Sequence, residues 1–170
     1  MQRLLVMVAL GFSSLTAPAQ AGDFKLGTVD YSRAIQDIEE GKQAQSRLDA
    51  MYAGEKAKLE QLEVELNALN EEYESKKAIL SDTAREDYEM RLQQKWMEYQ
   101  QAYAQADLEM QTAYFSAMET LMSGLKTVTE SVGSEGGYDL ILETSTGVVL
   151  YSTTGVDLTP KVIERYNSTH

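Results

Sequence analysis

Apolar positions are spaced in three different ways along this chain. Residues 4–15 form a nearly unbroken apolar run, interrupted only by Gly11 and two serines. Residues 42–132 repeat apolar side chains in alternating steps of four and three. The flanking segments, around residues 25–30 and 138–151, are short apolar runs separated by Gly, Thr and Ser. The middle regime dominates. From 42 to 80 there is no proline and a single glycine, Gly54, and the composition favours Ala, Leu, Glu, Gln and Lys, all good helix formers. Leu48, Tyr52, Leu59, Leu62, Leu66, Leu69, Tyr73 and Leu80 fall in heptad register, with Glu55 and Lys76 as the exceptions. That spacing predicts one long helix packed lengthwise against another.

Ser81-Asp82-Thr83 breaks the pattern. Thr83 and Glu86 have capping-box spacing and open a second helix, over about 84–132, which Gly133 is expected to end. Its seam is Leu92, Trp96, Tyr99, Tyr103, Ala106, Met110, Ala113 and Ala117. With the chain folded at a tip over 81–84, Tyr73 faces Leu92, Leu69 faces Trp96, Leu66 faces Tyr99 and Leu62 faces Tyr103. Lys76 then meets Glu89. A short loop joins antiparallel neighbours, so the two helices form a hairpin arm roughly 58 Å long. Gly41 and Gly124 fall opposite each other at its root. They are candidate hinge positions, with close packing an equal reading.

At the ends, a strand carries Leu26 and Val29, and Asp30 or Ser32 caps a short helix through Ile35 and Ile38 before Gly41 interrupts it. Residues 138–143 read as a second strand, 144–147 as a turn and 148–151 as the returning strand. Thr159 as N-cap and Pro160 at N1 start a terminal helix with Val162, Ile163 and Tyr166 on its apolar face. Three short strands make a poor sheet alone. The fold class is therefore α+β, mainly α: a long antiparallel helical hairpin projects from a small β body completed by oligomerisation. The body comprises 22–41 and 133–170, and the arm 42–132. Leu26, Val29, Leu140, Leu142, Val149 and Tyr151 are the candidate oligomerisation residues on its strands.

The first regime changes the compartment. Arg3, the apolar run and Ala19-Gln20-Ala21 have the layout of a secretory signal peptide, residues 1–21, cut between Ala21 and Gly22. The alternative, a membrane anchor, needs roughly 20 apolar residues, and this run is shorter. The mature protein is thus expected in the periplasm.

Charge and inventory then exclude most chemistry. The chain has 15 basic and 27 acidic residues, a net −12, and losing Arg3 with the leader makes it more acidic still. Nucleic acid is not expected as a partner, since phosphate neutralisation needs clustered Lys and Arg. There is no cysteine, and the only histidine is the last residue, His170. Nucleophilic triads and His-based metal sites are ruled out by inventory, and no phosphate-binding loop of the P-loop type is present. No catalytic residue, metal or cofactor is expected. The surplus is soft and apolar. Six methionines follow the leader, and Ile79, Tyr88, Met90 and Met97 lie off the seam near the tip. Met-rich surfaces recur in adaptable binders, so these four are candidate client contacts. Their competing role is packing against the partner helix or another subunit, a role that also fits Tyr114, Phe115, Met118 and Leu121 near the root.

Three segments in this order resemble the Skp/OmpH family of periplasmic chaperones. They are Leu26-Gly27-Thr28-Val29-Asp30 followed by Glu40-Gly41-Lys42; Gly137-Tyr138-Asp139-Leu140-Ile141-Leu142; and Val148-Val149-Leu150-Tyr151 with Asp157-Leu158-Thr159-Pro160-Lys161-Val162-Ile163. The resemblance covers essentially the whole mature chain. It implies a homotrimer with an intersubunit β-barrel body, whose three arms enclose a cavity that holds unfolded outer-membrane proteins without ATP. The best-known members have strongly basic arms. Here residues 41–130 hold 10 basic and 17 acidic side chains, which argues against direct membrane or lipopolysaccharide binding. The rival reading is a structural or adaptor coiled-coil protein of the cell envelope that docks a fixed partner. An enzyme is a distant third.

Overall fold

The structure is a computed structural model and describes residues 24–151 and 155–170. The leader and its cleavage point lie outside the described residues. The element order is β1 (Leu26–Val29), α1 (Tyr31–Asp37), α2 (Glu39–Lys76), α3 (Asp82–Gly136), β2 (Leu140–Glu143), β3 (Val156–Asp157) and α4 (Thr159–Thr169).

Asp30 caps α1 by accepting from the Arg33 backbone N–H at 2.9 Å. The helix stops at Ile38, whose ψ of 146° turns the chain out of the helical region before α2 begins. Glu39 and Glu40 in the first turn of α2 complement its N-terminal dipole. Gly41 therefore does not interrupt a helix, as the sequence pattern suggested. It lies inside α2 where the chain passes very close to α1: a Cβ there would stand 1.8 Å from the Ile35 carbonyl oxygen.

The tip lies earlier than 81–84. α2 ends at Lys76, and the Lys76 carbonyl accepts from the N–H groups of Ile79 and Leu80, so the turn occupies 77–81. Ser81, not Thr83, caps α3, its Oγ accepting from Ala84 N–H at 3.3 Å. At the other end α3 runs through Gly133 to Gly136. Gly137, at φ +63°, supplies the left-handed cap that only glycine adopts freely. Gly133 is instead a buried contact point under Ile141.

The sheet is parallel throughout, in the order β2-β1-β3. Leu26 pairs with Leu140 and Val29 with Glu143 on one side, and Gly27 pairs with Val156 on the other. This corrects the expected antiparallel hairpin. Residues 148–151 form no strand in this chain, and Leu150 is 92% exposed. The third strand is the two-residue β3, drawn onto β1 by the Leu158 N–H bond to the Thr28 carbonyl at 2.8 Å. Thr159 is likewise not the N-cap of α4. It is fully buried, its Oγ1 accepts from the Asp30 N–H at 2.9 Å, and Asp157 takes the Thr159 N–H instead.

The core sits at the root of the arm. Leu121, Leu125, Val128 and Val132 from α3 meet Ala34 and Ile38 from α1, Val29 from β1, and Leu158, Val162 and Tyr166 from the C-terminal segment. Each fully buried aliphatic side chain contributes about 1.5–3 kcal/mol. Gly124 is the point of closest approach between α3 and the Tyr166 ring, with a built Cβ 2.7 Å from its hydroxyl. That hydroxyl donates to Glu40 at the start of α2, so α4 ties both roots of the arm together. Burial, followed by the bond to Glu40, pushes the Tyr166 hydroxyl well above its ordinary pKa.

Candidate functional site

The arm is two helices thick, with α2 of 38 residues, about 57 Å, lying against the longer α3. On α2, Leu69 is buried and Leu48, Leu59, Leu62, Leu66 and Tyr73 are half-buried, as a seam requires. The register with α3 differs from the pairing expected from the heptads. Tyr73 reaches Glu89 through its hydroxyl at 2.7 Å and stacks on Tyr88 with ring centroids 5.7 Å apart. Lys95 reaches Glu65 at 2.9 Å, a bond that holds the Glu65 carboxyl below and the Lys95 ammonium above their ordinary ranges. Each α2 position thus meets α3 about one turn nearer the tip than expected, because the turn itself comes earlier.

That shift reassigns side chains. Tyr99, Ala102 and Ala106 line the seam, with Lys95 at its edge, while Trp96 and Tyr103 leave it. Trp96 is 49% exposed and stacked on Tyr99, and Tyr103 is 60% exposed. Tyr88 moves the other way. It is half-buried between Tyr73 and Arg91 and donates to Glu72 at 2.7 Å, so it is part of the arm's own packing. Ile79 at the tip, Met90 and Met97 are exposed as expected.

The two flanks of α3 differ. One, at steps of seven, is polar: Glu98, Gln105, Thr112 and Glu119, of which Glu98 and Gln105 line an open groove with Gln61 and Glu65 of α2. The neighbouring flank is richer in apolar side chains. Trp96, Met97, Tyr103, Leu108, Tyr114, Phe115 and Met122 are all exposed there, with Gln100, Gln101, Asp107 and Gln111 among them. Of these, only Met97 is a contact expected from the sequence; its spacing puts Trp96 and Tyr103 in the seam and Tyr114 and Phe115 in packing. The signal was present in the steps of seven from Met90 to Met97 and from Leu108 through Phe115 to Met122.

Among the described residues no three His, Asp or Glu side chains stand together as a metal site, and no helix is long and apolar enough to cross a membrane. The arrangement offers an extended apolar surface and no reactive group. The family model described as Outer membrane protein (OmpH-like) matches residues 25–166, from the sheet through the arm to Tyr166 of α4. The chain belongs to the Skp/OmpH family. Members of the family are chaperones, not enzymes. The chain is 25% identical over 167 residues to a Skp-like protein of Pseudomonas aeruginosa, covering 98% of each. It is 23% identical over 168 residues to the chaperone protein Skp of Yersinia enterocolitica, covering 97% of this chain and 99% of that one. A solved structure, a putative OmpH-like outer membrane chaperone from Caulobacter crescentus, shares the fold with a TM-score of 0.77. It is 19% identical, over 95% of this chain and 92% of that one. Body and arm therefore form one family unit, with the apolar flank on its longest helix.

Proposed function

We propose that this Skp/OmpH family member is an ATP-independent periplasmic holdase that binds unfolded outer-membrane proteins in a cavity between helical arms. The carrying observation is the apolar flank of α3. Seven large side chains between Trp96 and Met122 are 40–67% exposed on a helix whose seam is already closed by α2. Monomeric surfaces seldom keep so many large apolar side chains exposed along one helix without a partner. Met, Tyr and Phe suit clients of varied sequence, because their contacts need no fixed hydrogen-bond geometry.

The assembly is a homotrimer in this reading. Among the described residues no further strand pairs with either edge of the three-stranded sheet, and Val148, Leu150 and Tyr151, which follow β2 in the chain, are 77%, 92% and 83% exposed. Strand pairing between copies satisfies such edges and covers such side chains. Leu26, Leu140 and Leu142 in the sheet and Val149 and Tyr151 beyond it are the contacts proposed for the body; Val29, expected among them, is 2% exposed and packs instead in this chain's own core. A solution mass of one or two chains would remove the cavity. Export follows the leader, and the acidic arm speaks against a lipid or lipopolysaccharide site. The adaptor reading is separated by the same assay that tests the holdase. An unfolded outer-membrane protein diluted from denaturant should stay soluble with an equimolar amount of trimer. Full aggregation, with saturable binding to one folded envelope protein instead, would decide for the adaptor.

A further inference from the structure

The apolar flank lies in a stretch of α3 without cations. No Lys or Arg occurs between Trp96 and Leu125, and the flanking Lys95 is engaged by Glu65 and Glu98. On the facing part of α2, Lys42, Lys56 and Lys58 are each paired with a carboxylate of their own helix. Arg47 lines a groove with Ala113, Ser116 and Thr120, and forms no ion pair with Glu119 among the described residues. Asp107 and Glu119 are exposed and form no ion pair among the described residues; Asp107 accepts only from Gln111. Each stands one turn after an exposed ring: Tyr103 precedes Asp107, and Phe115 precedes Glu119. Residues four apart share a helix face, so each pair sets a π-surface beside a free carboxylate. That combination recognises a cation carried on an apolar neighbour: the ammonium or guanidinium takes the carboxylate and the ring face, and the apolar neighbour takes Leu108, Met97 or Met122.

We infer that the α3 flank selects unfolded polypeptide segments in which Lys or Arg alternates with apolar residues, so that the chain's clients are cationic. This rests on the holdase reading and adds a charge preference to it. Association is then accelerated by the acidic arm, and the preference weakens as salt screens it.

Trp96, the chain's only tryptophan, borders the flank and reports occupancy through its emission. The experiment titrates the full-length mature protein with two synthetic peptides of identical apolar and aromatic content, one carrying Lys and the other Glu at the charged positions. The Lys peptide should bind about tenfold more tightly at low salt, with the gap closing at high salt. Asp107→Asn combined with Glu119→Gln should narrow the gap, the equal charge change Glu63→Gln with Glu71→Gln on α2 should not, and neither pair should alter suppression of aggregation of an uncharged client. Equal affinity for the two peptides, or a gap narrowed alike by both pairs or by neither, overturns the assignment of a charge preference to α3 and leaves the holdase standing. No suppression of any client, with neither peptide bound, overturns both.

Discussion

At the scale of single residues, Glu143 is the best-anchored acid in the body. Burial opposes its ionisation, but the Ser145 hydroxyl and the backbone N–H groups of Ser145, Tyr31 and Thr146 outweigh it and hold the carboxyl at about 2. A depressed folded-state value stabilises the fold above the ordinary carboxylate range, and the stabilisation disappears as pH falls from about 4.5 toward 2. Glu143→Gln should therefore cost about 1–2 kcal/mol at pH 7 and little at pH 2, read from urea unfolding across that window. Glycines make a second prediction of sign. Gly54 has open space around it on α2, so Gly54→Ala should stabilise by about 0.5–1 kcal/mol. Gly41→Ala, with the Ile35 carbonyl in the way, should destabilise by about 1–3 kcal/mol or more. Thermal melts of the two variants that shift in the same direction would contradict the local geometry. Packing accounts for Gly41 and Gly124. A hinge at the same root would show itself separately, as a narrower spread of spin-label distances at the arm tip in Gly124→Ala.

At the scale of elements, the hairpin's register decides which side chains are structural. Leu69 is 8% exposed and Trp96 is 49% exposed, so Leu69→Ala should cost about 2 kcal/mol or more and Trp96→Ala less than about 1 kcal/mol, with Trp96 emission quenched freely by acrylamide. The register read from heptads alone, in which Leu69 and Trp96 face each other, requires comparable losses and a shielded indole. The two helices, their antiparallel pairing, the Asp30 cap and the strands at Leu26 and Leu140 were all legible, because each rests on local spacing or a local cap. The one-turn slip was not. Heptad seams fit nearly as well one turn apart, and the choice was made by Ser81, whose hydroxyl caps α3 earlier than the Thr83–Glu86 pair suggested. Residues 148–151 read as a strand because Val148, Val149 and Tyr151 are β-branched or aromatic, yet among the described residues they pair with no other strand. β3, only two residues long, carries no periodicity at all and is fixed by the Thr28–Leu158 contact. The apolar flank was only partly legible for the same reason as the register: once Trp96 and Tyr103 were counted in the seam, the stripe they border was hidden.

At the scale of the whole molecule, a small core at the root carries a lever far longer than itself. The root is closed by Leu125, Val132, Val162 and Tyr166, all at most 1% exposed. The arm beyond it has one closed seam and one open apolar flank, and its excess negative charge is concentrated in the half nearer the tip. Such a shape presents surface at a distance from the body, which suits holding a chain without folding it. In the holdase reading, an unfolded outer-membrane protein lies on the apolar flank of α3. Photo-crosslinking tests this most directly, with the reactive side chain placed in turn at Phe115 on that flank and at Gln105 on the polar one. The prediction is abundant client adducts from position 115 and few from position 105; equal yields from both, or none from 115 while the client stays soluble, would contradict it.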